Sequence, residues 1–61
     1  VIVNGRLHGN SYGEAPGPTR TNSSGNIHFI NPDGSHPYHI TTPDGLWQGW
    51  VTAESVKVVT V

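Results

Sequence analysis

The stretch at residues 26–51, NIHFINPDGSHPYHITTPDGLWQGWV, decides the fold. It contains two similar turn sequences, NPDG at 31–34 and TPDG at 42–45. In each, proline presets φ at the second position, aspartate suits the third, and glycine tolerates the backbone that follows. The runs beside these turns are rich in β-branched and aromatic residues. The pattern therefore predicts a three-stranded antiparallel meander, with strands at 26–30, 36–41 and 46–51.

The segments before the meander are less regular. Two short runs, 1–3 and 6–8, flank Asn4-Gly5, a dipeptide typical of tight hairpins. A bend inside one continuous strand is the alternative interpretation. Residues 9–25 show no period and hold four Gly and two Pro. They predict one long polar loop, with room for a short irregular strand at 19–21.

After the meander, residues 52–55 suit one turn of 3₁₀ helix and residues 56–61 predict a closing strand. Val56 and Val58 would share one face of that strand, and Val59 and Val61 the other. An uncovered apolar edge of this kind favours association. The first strand or an upstream catalytic domain is an alternative cover, but the pattern slightly favours a homo-oligomer.

Composition narrows the function classes. The 61 residues carry a formal net charge of −1, and only 11% are charged. Three Lys and Arg are too few for a nucleic-acid-binding stripe. The chain has neither an apolar run of ~18 residues for a membrane span nor a signal peptide. The absence of Cys excludes a disulfide or thiolate zinc site. Because the sequence begins at Val1 rather than Met, we expect a fragment of a longer chain.

The order of these elements resembles an SH3-like small barrel. Residues 49–56, GWVTAESV, are similar to the closing signature of bacterial SH3-type cell-wall modules. Residues 3–13, VNGRLHGNSYG, resemble the opening of wall-binding modules at the C-termini of endolysins from phages of Gram-positive hosts. This chain lacks the Asn-Val-Arg-Ser-Gly-Pro motif found near the start of common bacterial SH3 modules. The muropeptide contacts of those modules therefore cannot be assigned to residues of this chain.

This resemblance implies a single all-β domain over residues 1–61, an SH3-like barrel of about five short antiparallel strands. The implied function is a non-catalytic module that holds a peptidoglycan hydrolase on the Gram-positive wall by binding peptidoglycan or an attached glycopolymer. The upstream domain would be an amidase or endopeptidase. The location would be the extracellular cell wall, reached from the lysing host cytoplasm in a phage enzyme. The alternative is an SH3-like module that binds an extended or Pro-rich peptide. A small hydrolase or a structural subunit is a third class without a motif behind it.

Aromatic and loop residues are the candidate ligand contacts, because a flat apolar ring with a polar edge suits sugars and peptide stems. Trp47 and Trp50 are three residues apart, so an extended strand would turn them to opposite faces, one buried and one available. The sequence does not say which. The candidate ligand-binding residues are Asn10, Tyr12, Glu14, Tyr38, His39, Trp47 and Trp50.

The remaining titratable residues give no catalytic or metal-binding pattern. His36 and His39 should point to opposite faces of a strand, so the four histidines predict no metal site and no cofactor. The turns account for Asp33 and Asp44, and Glu54 falls in the 3₁₀ turn. A lone Glu14 without a partner does not make a general acid–base pair.

Overall fold

The computed structural model describes residues 1–59 and is an all-β domain with one open antiparallel sheet and one 3₁₀ turn. The predicted fold class is confirmed at that level. The strands are β1 Ile2–His8, β2 Pro16–Ser24, β3 Asn26–Ile30, β4 Tyr38–Thr41, β5 Gln48–Val51 and β6 Val56–Lys57. The spatial order is β2-β1-β5-β4-β3, and β6 pairs with the start of β1.

The meander β3–β4–β5 follows the prediction, with shorter second and third strands. Both turns close by hydrogen bonds, from Gly34 N to Asn31 O at 3.1 Å and from Gly45 N to Thr42 O at 3.0 Å. Pro37 has no N–H to donate, and β4 begins just after it, at Tyr38. The Thr42 hydroxyl accepts hydrogen bonds from the backbone N–H groups of Leu46 and Trp47, and β5 begins at the next residue, Gln48.

The long polar loop predicted for residues 9–25 is wrong. Its second half is the nine-residue strand β2, paired along the length of β1, and only residues 9–15 form a loop. The composition hides this strand because β2 is rich in Pro, Gly, Asn and Ser, and its register shifts twice. At one shift Asn22 adopts φ 46°, and its N–H donates to Asn4 Oδ1 at 2.8 Å. Asn4 and Gly5 therefore lie inside one continuous strand, the alternative to a hairpin.

The 3₁₀ turn at Ala53–Ser55 is confirmed, with Ser55 N donating to Thr52 O at 3.0 Å. The closing strand predicted for 56–61 is too long. β6 covers Val56–Lys57, and Val58 and Val59 are exposed and outside any strand. Residues 60 and 61, including the predicted face partner Val61, lie outside the described residues. No helix in residues 1–59 is long and apolar enough to cross a membrane.

The core consists of four buried aliphatic side chains on one face of the sheet, contributed by β1, β4 and β5. The edge strands β2 and β3 are joined by Gly25 alone, so the sheet curls until its two edges meet at that residue. A Cβ at Gly25 would lie 2.6 Å from Ile40 Cγ2, and only glycine allows this approach to the core. The core residues are Val3, Leu7, Ile40 and Val51.

Candidate functional site

A row of rings crosses the face of the sheet opposite the core. The strand register creates it, because His8 pairs with Trp50, Trp50 pairs with His39, and His39 pairs with Phe29. Residues opposite each other in antiparallel strands project to the same side. Four rings from four strands therefore lie side by side on one surface.

Ring distances divide this row into two contacting groups, one around Trp50 and one formed by His8 and His36, and the pairing of His8 with Trp50 places the two groups side by side. The His39 and Trp50 centroids are 5.1 Å apart, and Phe29 meets Trp50 edge-on at 6.1 Å. His28 packs against His39 at 5.2 Å, and His36 packs against His8 at 4.3 Å. These spacings fall in the range of favourable aromatic pairs. The six residues, called the ring row below, are His8, His28, Phe29, His36, His39 and Trp50.

Two irregularities bring histidines and Phe29 into the ring row. A register shift between Ile27 and Phe29 sets Ile27 opposite Ile40 but Phe29 opposite His39. Ile27 and Phe29 therefore lie on opposite faces, although regular strand alternation would place them on the same face. His36 precedes β4, so strand alternation does not govern it, and its ring packs on His8. The expectation that His36 and His39 point to opposite faces is wrong for that reason.

The two tryptophans lie on opposite faces of the sheet, as their spacing predicts. Trp47 packs against the core, and the Arg20 guanidinium lies 5.1 Å from its ring centroid. Trp50 stays half-buried among the rings of the other face. Trp50 is therefore the tryptophan available to a ligand. Tyr38, a candidate ligand residue, packs against the core rather than in the ring row.

The loop at residues 9–15 is organised by Asn10. Its Oδ1 accepts from the backbone N–H groups of Tyr12 at 3.0 Å and Glu14 at 3.1 Å. Its Nδ2 donates to Glu14 Oε1 at 3.0 Å. Asn10 and Glu14 thus stabilise the loop that presents Tyr12, whose side chain is 64% exposed.

This loop docks on the turn before β4, next to the His36 end of the ring row. His36 N donates to Ser11 O at 2.8 Å, and Asn31 Nδ2 donates to the buried Ser11 Oγ at 2.7 Å. Gly13 has φ 82° and passes close to the His36 ring, where a Cβ would lie 2.6 Å from Cε1. Tyr12 and the ring row are therefore parts of one surface.

Two histidines of the ring row, His36 and His39, have pKa values below the usual value for histidine. Partial burial, followed by repulsion from His28, lowers the pKa of His39 below its usual value. Partial burial, followed by repulsion from His8, lowers the pKa of His36 in the same way. Neutral imidazoles offer a ring face together with one donor and one acceptor nitrogen. The row therefore presents flat rings with polar nitrogen atoms at their edges.

The site shows no arrangement typical of catalysis within the part of the chain that the structure describes. Ser35 Oγ lies 3.0 Å from His36 Nδ1, but no carboxylate orients that imidazole in residues 1–59. A Ser–His pair normally needs such a third group to act as nucleophile and base. Across the same residues, no group of three or more His, Cys, Asp or Glu side chains could hold a metal ion.

Sequence reasoning placed His39 and Trp50 at the site and missed His8, His28, Phe29 and His36 as its members. The alternation of ring and aliphatic residues, as in His39-Ile40 and Trp50-Val51, was the available signal. The strand register needed to line up these rings is not visible in the sequence.

The chain matches no protein-family model, no curated protein and no solved structure.

Proposed function

We propose that this chain is a non-catalytic module that binds the Gram-positive cell wall through the ring row and the Tyr12 loop. The ligand is peptidoglycan or an attached wall glycopolymer. The module holds an upstream amidase or endopeptidase domain on the extracellular wall, which a phage enzyme would reach from the lysing host cytoplasm.

The observation that carries this proposal is the ring row on the face opposite the core. A sugar ring has an apolar C–H face and a rim of hydroxyls. The C–H face packs on an aromatic ring. The hydroxyls need hydrogen-bond donors and acceptors at the edge of that aromatic ring. Trp50 and Phe29 supply the apolar faces, and the neighbouring imidazoles supply ring nitrogens. A row spanning four strands suits an extended chain of sugars better than a single small molecule.

The low charge of the chain also favours a wall polymer over a basic peptide. Grooves that bind Pro-rich peptides combine clustered aromatics with acidic loop residues that meet basic side chains. Glu14 is the sole acidic residue in the loop beside the ring row, and its Oε1 accepts a hydrogen bond from Asn10. A peptide-binding SH3-like module remains the second candidate because the exposed rings fit proline as well as sugar.

The finer fold proposal is an SH3-like barrel. Its support is the chain order: a first strand, a loop, the strand β2, a meander, a 3₁₀ turn and a short closing strand against β1. The one-residue link at Gly25 adds to this support, because it brings the two edges of the open sheet together at one corner.

We also propose that the domain self-associates, with Val59 at the interface. Sedimentation of the free domain as a monomer of 6.5 kDa at submicromolar concentration would contradict this.

Cosedimentation with purified Gram-positive walls tests the function. The wild-type domain should pellet with walls, and Trp50→Ala should weaken binding roughly 30-fold, the effect of losing about 2 kcal/mol at an aromatic anchor. Leu46→Ala is the matched control, because Leu46 is exposed in the turn before β5 and lies outside the ring row. Circular dichroism confirms that each variant is folded.

Soluble competitors separate the two candidate ligands. Glycan chains or glycopolymer released from walls should displace the domain, whereas Pro-rich peptides should not. Displacement by Pro-rich peptides together with failure to pellet with any Gram-positive wall would replace the wall-binding proposal with the peptide-binding one.

A further inference from the structure

We propose that His28 and His39 form a two-histidine site for a divalent transition-metal ion at the β3 end of the ring row. Their Nδ1 atoms lie 3.1 Å apart on adjacent strands. The inference rests on the geometry of this pair and is independent of the wall-binding proposal.

The nitrogen spacing fits a shared metal ion. Metal–imidazole bonds of about 2.0–2.1 Å with nitrogens 3.1 Å apart imply an N–metal–N angle of about 100°. This value lies between the right angle of tetragonal Cu²⁺ or Ni²⁺ and the tetrahedral angle of Zn²⁺. The spacing of the two nitrogens is therefore compatible with one shared ion, which lies off the line between them and is reached when each ring turns its lone pair toward it.

The second histidine pair of the chain provides an internal contrast. His8 Nδ1 is engaged with the Arg6 carbonyl at 3.1 Å, and His36 Nδ1 with the Ser35 hydroxyl at 3.0 Å. Among the described contacts, the Nδ1 atoms of His28 and His39 have only each other. The His8 and His36 rings are tilted by 57° with their centroids 4.3 Å apart, whereas the Nδ1 atoms of His28 and His39 lie within hydrogen-bond distance of each other. Only the second has the arrangement of a chelating pair.

The setting favours metal over a proton at this point. Two protons cannot both occupy the space between the Nδ1 atoms, so in the metal-free protein one imidazole donates to the other. A metal ion instead accepts both lone pairs, as neutral imidazole requires.

The ligand set selects the metal. Two imidazoles suit Cu²⁺, Ni²⁺ and Zn²⁺ and are poor ligands for Mg²⁺ or Ca²⁺. No third protein ligand joins the pair in residues 1–59, so water fills the other positions. The expected order of affinity follows the general series, with Cu²⁺ tightest and Ni²⁺ and Zn²⁺ weaker.

Titration with Cu²⁺ at pH 7.5 in a non-coordinating buffer tests the site. Trp50 reports on it, because its ring centroid lies 5.1 Å from that of His39 and bound Cu²⁺ quenches nearby indole fluorescence. His28→Gln and His39→Gln should each weaken Cu²⁺ binding at least 10-fold. His8→Gln is the matched control and should leave the affinity within about 2-fold. Mg²⁺ should produce no change.

Nuclear magnetic resonance gives a readout that does not depend on fluorescence. Substoichiometric Cu²⁺ should first broaden the resonances of His28, His39 and Trp50. Equal affinity in His28→Gln and the wild-type protein, or first broadening at His8 and His36, would overturn the proposal.

Discussion

The two faces of the sheet are built from neighbouring residues of the same strands, yet they differ in chemistry. Leu7, Ile40 and Val51 are buried on one face. Their immediate neighbours His8, His39 and Trp50 carry rings on the other face. Strand alternation thus separates the side chains that hold the fold from those that can meet a ligand. Substitutions at adjacent positions should therefore affect different properties.

The Ile40 and His39 pair should give the largest difference. Ile40 is fully buried in the core, so Ile40→Ala should lower the free energy of unfolding by about 2–5 kcal/mol. At roughly 0.05–0.15 kcal/mol per residue, a domain of this size has little stability to lose. We expect a mostly unfolded protein, measured by urea denaturation followed by circular dichroism.

His39→Ala is the matched substitution one residue away. It should remain folded with a urea midpoint near that of the wild-type protein, because His39 is half-buried on the ring face. Similar destabilisation by the two substitutions would mean that the ring row contributes to folding as much as the core does.

The tryptophans give the second comparison. Trp47→Ala should cost about 2–3 kcal/mol, below the usual 3–5 kcal/mol for a buried aromatic, because Trp47 is only half-buried against the core. Trp50→Ala should unfold at a higher urea concentration than Trp47→Ala while losing wall binding. If Trp50→Ala instead unfolded at a lower urea concentration and a lower temperature than Trp47→Ala, the assignment of the two faces would be reversed.

The meander could be read from its two turns because Pro, Asp and Gly at successive positions restrict the backbone locally. Strand β2 could not, since its pairing with β1 depends on backbone hydrogen bonds and on bulges such as the one at Asn22. The same dependence on strand pairing limited how much of the site could be predicted from the sequence. His39 and Trp50 could be named from the sequence as candidate ligand residues, but Phe29 joins them only through a register shift. Register is a long-range property, and local propensity carries little information about it.

A third, smaller effect concerns the loop beside the ring face. Asn10→Ala removes three hydrogen bonds that organise residues 10–14. We expect the closed loop to lose about 1 kcal/mol relative to its locally opened form, typical of a side chain that caps local backbone groups, with the free energy of global unfolding little changed. Amide hydrogen exchange should accelerate at Tyr12 and Glu14 and stay unchanged at Ile40.

Glu14→Gln is the control for that loop, because glutamine still offers an oxygen to the Asn10 amide. Faster exchange at Ile40 in Asn10→Ala would show that the loop is part of the core rather than a surface addition to the ring face. Weaker wall binding in Asn10→Ala with unchanged urea stability would indicate that Tyr12 contacts the ligand.

The smallest expected effect is the pH dependence of stability, and it belongs to the ring face alone. The pKa of His36 and of His39 is lowered in the folded protein by partial burial and by the facing imidazoles His8 and His28. The unfolded chain therefore takes up protons first, near the ordinary histidine pKa of about 6.5. Stability should be highest above that pH, fall as the pH drops through it, and level off below the lowered pKa values. The change should be small because solvent screens these partly exposed rings.

Urea midpoints measured between pH 8 and pH 5 in the presence of a chelator should show this decline in stability. The double variant His36→Gln/His39→Gln should flatten it. An unchanged slope in the double variant would assign the pH dependence to groups outside the ring row.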